Sequence, residues 1–309
     1  MKKIAVCGAL GLVGTKIRQV LIERNVKGEF VFFDDLKNAG RKIKHNGQKF
    51  KVLELSESNL RMIKPDFALM AVPNPVSAVY APIISSLGGK VIDNSSFFRM
   101  KDNVPLIIPE VNADKIKNNI IANPNCSTIQ ALVVLGPLDK KFGLRRVVFS
   151  TYQAISGAGA NPKFLHPISN NLIPHIDVFS ESGYTKEEIK LMDETKKILG
   201  KPNLAVTATA VRVPIDNCHS ISINAEFEKP ITKQAIREVL DKSPGVTVLD
   251  EPERGVYPMP LIANENDQVF VGRIREDESS KNTVNMFVVA DNVRKGAATN
   301  AVQILELLI

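Results

Sequence analysis

Hydrophobic positions along this chain follow two different rhythms. Early on, short apolar runs at residues 3–7, 30–33, 67–72 and 90–92 end in turn residues, and stretches with helical spacing such as 15–23 lie between them. Alternating strands and helices predict a parallel sheet with helices on both faces. After residue 124 the rhythm changes. Ile129-Gln130-Ala131-Leu132-Val133-Val134-Leu135 reads as a helix as far as Lys141, with Gly143 as its stop. Residues 146–153, 206–213, 220–227, 269–275 and 283–290 read as strands, and Ser220-Ile221-Ser222-Ile223-Asn224-Ala225 alternates strictly. Residues 184–199 and 232–242 read as helices. This half predicts a mixed, largely antiparallel sheet with helices on one face. Residues 297–308 form an amphipathic helix suited to return to the first half.

The first strand runs into Gly8-Ala9-Leu10-Gly11-Leu12-Val13-Gly14 and then into a helix. Strand, glycine turn and helix are the setting of a dinucleotide fingerprint: glycines let the backbone approach a pyrophosphate, and the helix N-terminus holds its charge. The spacing is G-x-x-G-x-x-G rather than the commoner G-x-G-x-x-G, and a plain tight turn is the competing reading. The second strand ends at Asp34-Asp35, about 20 residues past Gly14, where an acid usually meets a ribose hydroxyl. A pair of solvated turn acids is the alternative. The fold class is therefore α/β: a Rossmann-type dinucleotide-binding domain over residues 1–124, completed by the C-terminal helix of 293–309, and an α+β domain with a mixed, largely antiparallel sheet over 125–292.

The 309 residues give room for two ordinary domains. A make-up of 44% hydrophobic and 24% charged residues is that of a soluble globular protein. No apolar run approaches the ~20 residues that span a bilayer. Met1-Lys2-Lys3 leads straight into the first strand with no cleavage site, so no signal peptide is read and a cytoplasmic location is expected. Cys7, Cys126 and Cys218 are an odd, widely spaced set, which argues against a disulfide framework and for a reducing compartment. The formal charge of +7 sits on scattered basic pairs such as Lys140-Lys141 and Arg145-Arg146, with little aromatic interleaving. That favours small anionic ligands over nucleic acid.

Asn123-Pro124-Asn125-Cys126-Ser127-Thr128 carries the strongest chemical signal. It places Cys126 at a helix N-terminus, where unpaired N–H groups and the positive dipole end favour the nucleophilic thiolate. A buried structural cysteine is the competing reading. A thiolate nucleophile needs an acid/base partner. Of the four histidines, His45, His166, His175 and His219, the last opens the strictly alternating strand. A hydrogen-bonded structural histidine is its alternative. Cys218 and His219, adjacent on a strand, face opposite ways, which argues against a shared metal site; no metal is expected.

At this point the residues resemble the aspartate-semialdehyde dehydrogenase family over essentially the whole chain. The resemblance rests on residues 8–14, Asp93-Asn94-Ser95-Ser96 with Arg99-Met100, Pro109-Glu110-Val111-Asn112 and residues 123–130. It continues through Thr151-Tyr152-Gln153-Ala154, Ser156-Gly157-Ala158-Gly159, His175-Ile176-Asp177-Val178-Phe179, residues 187–190, 212–220 and 270–275, and Asp291-Asn292 with Lys295-Gly296-Ala297-Ala298. It implies reversible reductive dephosphorylation of L-4-aspartyl phosphate to L-aspartate 4-semialdehyde through a Cys126 thioester, on the pathway to lysine, threonine and methionine. It also implies Cys126 as nucleophile, His219 as acid/base and Gln153 as the residue that orients the intermediate. Arg212 would hold the substrate carboxylate and Glu187 its ammonium, with Arg99, Lys190 and Asn125 around the phosphate. Gly8, Leu10, Gly11, Leu12, Val13, Gly14, Asp35, Lys37, Ser156, Gly157 and Asn292 would meet the cofactor, NADP in this family. The second domain would be catalytic and dimerising. The implied partners are a small-molecule substrate, inorganic phosphate and a second copy of the chain, with neither nucleic acid nor membrane. The residue types agree: an acyl phosphate and a thiolate give a thioester that hydride reduces, and a guanidinium fork fits a carboxylate. Without the resemblance, Glu187 and Lys190 read as a surface ion pair on one helix face, and Arg99 as a solvated loop arginine.

Three departures from the family touch the cofactor side. Leu10 stands where the family has Thr, and Pro73-Asn74-Pro75 replaces a stretch of small residues. Asp34-Asp35-Leu36-Lys37-Asn38 replaces a segment rich in Ser and Arg that receives the NADP 2′-phosphate. Asp35 repels a phosphate monoester and Lys37 attracts one, so NAD use is expected beside NADP. The segment between Gly159 and His166 is shorter than in many relatives, as a trimmed surface. Two rival readings stand beside the first. One is N-acetyl-glutamyl-phosphate reductase, which shares the architecture and the cysteine chemistry. The other is a non-catalytic dinucleotide-binding paralogue, against which Cys126, Gln153, Arg212 and His219 argue.

Overall fold

The computed structural model describes residues 1–159 and 162–309. Residues 160 and 161, in the segment read as a trimmed surface, lie outside them. The chain divides into two compact units, Met1–Pro124 with Ala297–Ile309, and Asn125–Gly296.

The first unit runs β1 (Lys3–Cys7), α1 (Leu12–Glu23), β2 (Glu29–Asp34), β3 (Lys42–His45), β4 (Gln48–Lys51), β5 (Leu53–Glu54), α2 (Glu57–Ile63), β6 (Phe67–Met70), α3 (Asn74–Ser86), β7 (Lys90–Asp93), α4 (Pro109–Asn112) and β8 (Ile120–Ala122). It closes with α9 (Thr299–Glu306). The sheet order is β5-β2-β1-β6-β7-β8, parallel throughout. Strand order changes direction at β1, and ligands of such sheets bind past the carboxyl ends at that point, where the glycine turn stands. Ile4, Ala5, Val6 and Cys7 are buried because both faces of β1 are covered. The C-terminal helix returns to this unit through apolar packing and specific bonds. Val302, Ile304 and Leu305 join the core of Ile4, Val6, Ile17 and Val20. Asn300 Nδ2 donates to Ile107 O at 3.0 Å and to Asn123 Oδ1 at 2.7 Å, and Arg24 pairs with Glu306 at 2.7 Å.

Three local features differ from the sequence reading. The first helix starts at Leu12 rather than Thr15, because Gly11 takes the extended N-cap conformation and residues 12–14 already coil. The last helix does not start at Ala297: a wide π-type turn over Arg294–Ala298 precedes α9. The β3–β4 hairpin was not anticipated. It turns at Asn46-Gly47, with φ of +46° and +78°, the left-handed pair that a two-residue hairpin turn requires.

The second unit runs α5 (Cys126–Phe142), β9 (Leu144–Gln153), α6 (Lys186–Leu199), β10 (Ala205–Arg212), β11 (His219–Phe227), α7 (Lys233–Leu240), β12 (Val246–Val248), α8 (Pro260–Ala263), β13 (Val269–Glu276) and β14 (Thr283–Ala290). Its sheet order is β10-β9-β11-β14-β13-β12. The three central pairings are antiparallel and the two outer ones parallel, a mixed, largely antiparallel sheet. Helix α5 packs on β9, β11, β13 and β14 and against α6 and α7, which is why residues 127–136 are buried on every side. Among the described residues no helix is long and apolar enough to cross a membrane.

Candidate active site

Sheet register brings the polar residues of the second unit together. Arg212 pairs with Gln153 across the parallel β10–β9 ladder. Ser220 pairs with Tyr152 across the antiparallel β9–β11 ladder, so His219 opens β11 at the level of Gln153. Three buried polar side chains therefore meet at one end of three neighbouring strands. The chain leaving β9 closes over them. Ala154 N–H donates to His219 Nδ1 at 3.0 Å, and Ala154 O accepts from Arg212 Nη1 at 2.6 Å. Gly157 follows, and a Cβ there would lie 2.7 Å from His219 Cε1 and 2.9 Å from Arg212 Nη1. Any side chain at 157 displaces both.

Cys126 is the first residue of α5 and is half-buried. Asn125 caps the helix: its Oδ1 accepts from the N–H groups of Ser127 at 2.9 Å and Thr128 at 3.4 Å. Asn125 Nδ2 donates to Glu187 Oε1 at 2.9 Å, and Gln153 Nε2 reaches the same oxygen at 3.2 Å. Lys190 donates to Glu187 Oε2 at 3.4 Å and to Asp177 Oδ2 at 2.9 Å. Glu187 is buried, so the pair read as a surface alternative is instead a part of this cluster. Gly296 also borders the cysteine: a Cβ there would stand 3.0 Å from Cys126 Cβ.

Electrostatics sort the titrating groups. Burial first, and the Arg212 guanidinium second, push the His219 pKa down to about 3. The ring is neutral at pH 7. A backbone N–H can only donate, so Nδ1 is the acceptor and the proton sits on Nε2, which is buried with no hydrogen-bond partner. Burial lowers the Arg212 pKa, and the neighbouring Cys126 and Glu187 raise it in part. Burial alone would raise the Asp177 pKa, but its bonds from Lys190 and Val178 N–H outweigh this and hold it below the usual carboxylate range. Cys7 and Cys218 are pushed up to about 12, first by burial and then by Asp34 for Cys7 and by Asp291 and Glu265 for Cys218. Neither supplies a thiolate near neutrality. Cys218 is also not a strand neighbour of His219. It precedes β11 at φ +74° and packs with Ala263, Phe270 and Val289.

Asn292 and Ser156 are joined by an Asn292 Nδ2 bond to Ser156 Oγ at 3.1 Å, and Asn292 Oδ1 accepts from Cys218 N–H at 2.9 Å. In the first unit, the glycine turn has the form a pyrophosphate needs. Gly8 has φ +76° and a Cβ on it would meet Ala71 O at 2.3 Å; a Cβ on Gly14 would meet Gly8 O at 2.0 Å. Gly11 caps α1 with no side-chain bond, leaving the helix start to an anion. Leu12, Asp35 and Lys37 are exposed and Val13 is half-buried. Asp34, read with Asp35 as a ribose acid, has both carboxylate oxygens hydrogen-bonded within the turn. Its Oδ2 accepts from Leu10 N–H at 2.8 Å, and its Oδ1 from Asp35 N–H at 3.0 Å and Asn38 Nδ2 at 2.9 Å, so it braces the turn. The Leu10 N–H is thereby taken. Arg99 is no solvated loop arginine. It is buried, with Nε donating to Asn123 O and Nη2 to Asn94 O, each at 2.9 Å.

Sequence reasoning did not single out two further residues as functional. Gln130 Nε2 donates to His219 O at 3.2 Å, tying α5 to the start of β11. Glu194 Oε2 accepts from Asn125 N–H at 2.7 Å. Gln130 was visible as a polar residue inside an apolar helix run; Glu194 looks like any helix glutamate.

A dinucleotide-type sheet with its glycine turn, joined to a mixed-sheet unit that carries both a helix-start cysteine and a buried neutral histidine, defines a semialdehyde dehydrogenase of the NAD(P)-dependent class. Two family models match in that order: the semialdehyde dehydrogenase NAD-binding domain over residues 3–119 and the semialdehyde dehydrogenase dimerisation domain over 135–295. The chain belongs to the aspartate-semialdehyde dehydrogenase family. The aspartate-semialdehyde dehydrogenase of Aquifex aeolicus is 46% identical over 99% of this chain and 98% of its own. Aspartate semialdehyde dehydrogenase II of Vibrio cholerae superposes with a TM-score of 0.94 at 38% identity, over 100% of this chain and 98% of its own, and has also been solved in complex with ASA. The Candida albicans enzyme, solved with NADP, superposes with a TM-score of 0.81 at 26% identity, over 100% of this chain and 98% of its own.

Proposed function

We propose that the chain interconverts L-4-aspartyl phosphate and L-aspartate 4-semialdehyde, with Cys126 as the nucleophile. The observation that carries this is the placement of Cys126 on a capped helix start, in one unit with a neutral His219 and with Arg212, Glu187 and Gln153. The Cys126 thiolate adds to the acyl carbonyl, and the C–O bond to phosphate breaks with release of inorganic phosphate, leaving a thioester. A nicotinamide cofactor held by the glycine turn would supply hydride to that carbonyl, and breaking the C–S bond then releases the semialdehyde and returns the Cys126 thiolate. His219 Nε2–H donates to the oxygen on which charge develops, and Gln153 orients the same group. Arg212 takes the substrate carboxylate as a fork, and Glu187 the ammonium. Arg99, Lys190 and Asn125 serve the phosphate. The test is turnover with the semialdehyde, phosphate and either NADP or NAD. Activity on N-acetyl-glutamate semialdehyde with none on aspartate semialdehyde would refute the reading.

A second copy of the chain is the proposed partner, in a cytoplasmic setting. An apolar groove of about 610 Å³ on the second unit, lined by Tyr152, Val213, Ile215, Tyr257, Met259 and Phe287, offers it a face.

The cradle of Gly8, Gly11 and Gly14 suits a dinucleotide, with Leu12 and Val13 at the turn and Ser156, Gly157 and Asn292 serving the nicotinamide end. With Asp34 engaged inside the turn, Asp35 and Lys37 are left to choose between cofactors. Asp35 accepts a ribose hydroxyl and repels a 2′-phosphate. NAD activity beside NADP is expected, and Asp35→Ser should move kcat/KM about five-fold toward NADP, the scale of one screened charge pair. A ratio that does not move places Asp35 away from the ribose.

A further inference from the structure

We infer that Glu194 is a positioning residue for the nucleophile, acting through the backbone of Asn125; this rests on Cys126 being the reacting group. Glu194 is 1% exposed, and its Oε2 accepts from Asn125 N–H at 2.7 Å. Taking a carboxyl group out of water is costly unless it is hydrogen-bonded, and one group it bonds here is the backbone of the residue that caps α5 and precedes Cys126. Asn125 is held at every polar atom. Its Oδ1 grips the first turn of α5, its Nδ2 rests on Glu187, its carbonyl accepts from Ile129 N–H at 2.9 Å, and its N–H rests on Glu194. The carbonyl bond holds the helix side of the residue. The N–H bond holds the side from which the chain enters, and together they keep φ −61° and ψ 146° and so set where the next residue places its sulfur.

Glu194 also belongs to a larger arrangement. Glu187, Lys190 and Glu194 stand at positions i, i+3 and i+7 of α6 and share one stripe of the helix. The register of α6 is locked at its start. Glu188 Oε2 accepts from Thr185 N–H at 2.7 Å, its N–H donates to Thr185 Oγ1 at 3.3 Å, and its Oε1 accepts from Ala210 N–H at 2.8 Å. One helix face thus presents the substrate-side charges and clamps the main chain of the residue before the nucleophile. Packing between α5 and α6 does not call for an acid at 194, since an apolar side chain fills the space at lower cost. An apolar side chain cannot hold an N–H.

The test compares three variants of the full chain by kcat, KM for semialdehyde and phosphate, and melting temperature. Glu194→Gln keeps an acceptor oxygen of nearly the same reach and should retain kcat within about three-fold. Glu194→Leu keeps bulk and loses the acceptor. Its kcat should fall about 100-fold, the loss that a misplacement of about 1 Å brings, with KM within about two-fold. A folded Leu variant with parental kcat overturns the proposal. So does a Gln variant as slow as the Leu variant, or a loss confined to KM. Should the Leu variant not fold, Glu194→Asp, which withdraws the oxygen by one methylene, takes its place, and parental kcat there overturns the proposal equally. Cys126→Ala separates the two levels. Turnover surviving in it removes the nucleophile reading itself, whereas a dead Cys126→Ala beside a parental Glu194→Leu removes only the positioning role.

Discussion

Cys126→Ala is expected to abolish turnover, by about 10⁴-fold or more, while the melting temperature and cofactor binding stay near parental values. The size follows from chemistry: without the thiolate no covalent acyl enzyme forms, and the acyl phosphate meets no nucleophile to displace its phosphate. The small structural effect follows from how α5 begins. Asn125, not Cys126, supplies the cap to Ser127 and Thr128, and alanine is a good residue for a first helical turn. A half-buried sulfur leaves little cavity when removed. The companion variants Cys7→Ala and Cys218→Ser should keep kcat, since both thiols are buried and pushed up to about 12. Mass spectrometry after quenching with substrate should find the acyl group on the peptide containing Cys126. Label on Cys7 or Cys218 overturns the assignment.

The start of α5 was legible because its signals are local: an asparagine cap, a cysteine and an unbroken apolar run within a dozen residues. The element types were legible for the same reason. What brings the site together was not. Gln153, Arg212 and His219 come from strands separated by up to 66 positions, and only the β10–β9–β11 register places them at one level. Burial was equally hidden. Glu187 with Lys190, and Arg99, carry the composition of surface groups, and only the tertiary fold shows two of the three buried and bonded. The bonds of Asp34 were hidden in the same way: an acid at the end of a second strand reads as a ribose ligand, and only the fold shows its oxygens bonded to the neighbouring glycine turn. The β3–β4 hairpin is a different case: Asn46-Gly47 is a strong turn signal, and flanking strands of only four residues each hid it.

His219→Asn should lower kcat by about 10²- to 10⁴-fold with a small change in KM, and it should also flatten the acid limb of stability. Asparagine is the informative choice. Its carbonyl oxygen can still accept from Ala154 N–H and its amide can still donate, so the hydrogen-bonded scaffold survives while the ability to transfer a proton does not. The stability effect has a definite sign. Folded His219 stays neutral down to about pH 3, whereas the unfolded imidazole takes up a proton near 6.5. Between those values the unfolded chain binds more protons, so stability falls as pH is lowered, by up to about 1.4 kcal/mol per pH unit from this group. Above pH 6.5 the two states bind equally and His219 adds no slope. Denaturant unfolding at pH 7 and pH 5 should therefore differ less in the variant than in the parent. The same protonation state bears on catalysis. In the acid/base role proposed for His219, the resting neutral ring, with Nδ1 held by Ala154, carries its proton at Nε2, and exchange of that proton with the reacting oxygen is what asparagine cannot replace. The parental kcat should show no limb near pH 6.5 arising from this ring. A limb there that disappears in His219→Asn means that His219 ionises in the working range, and the donor role would then pass to an imidazolium.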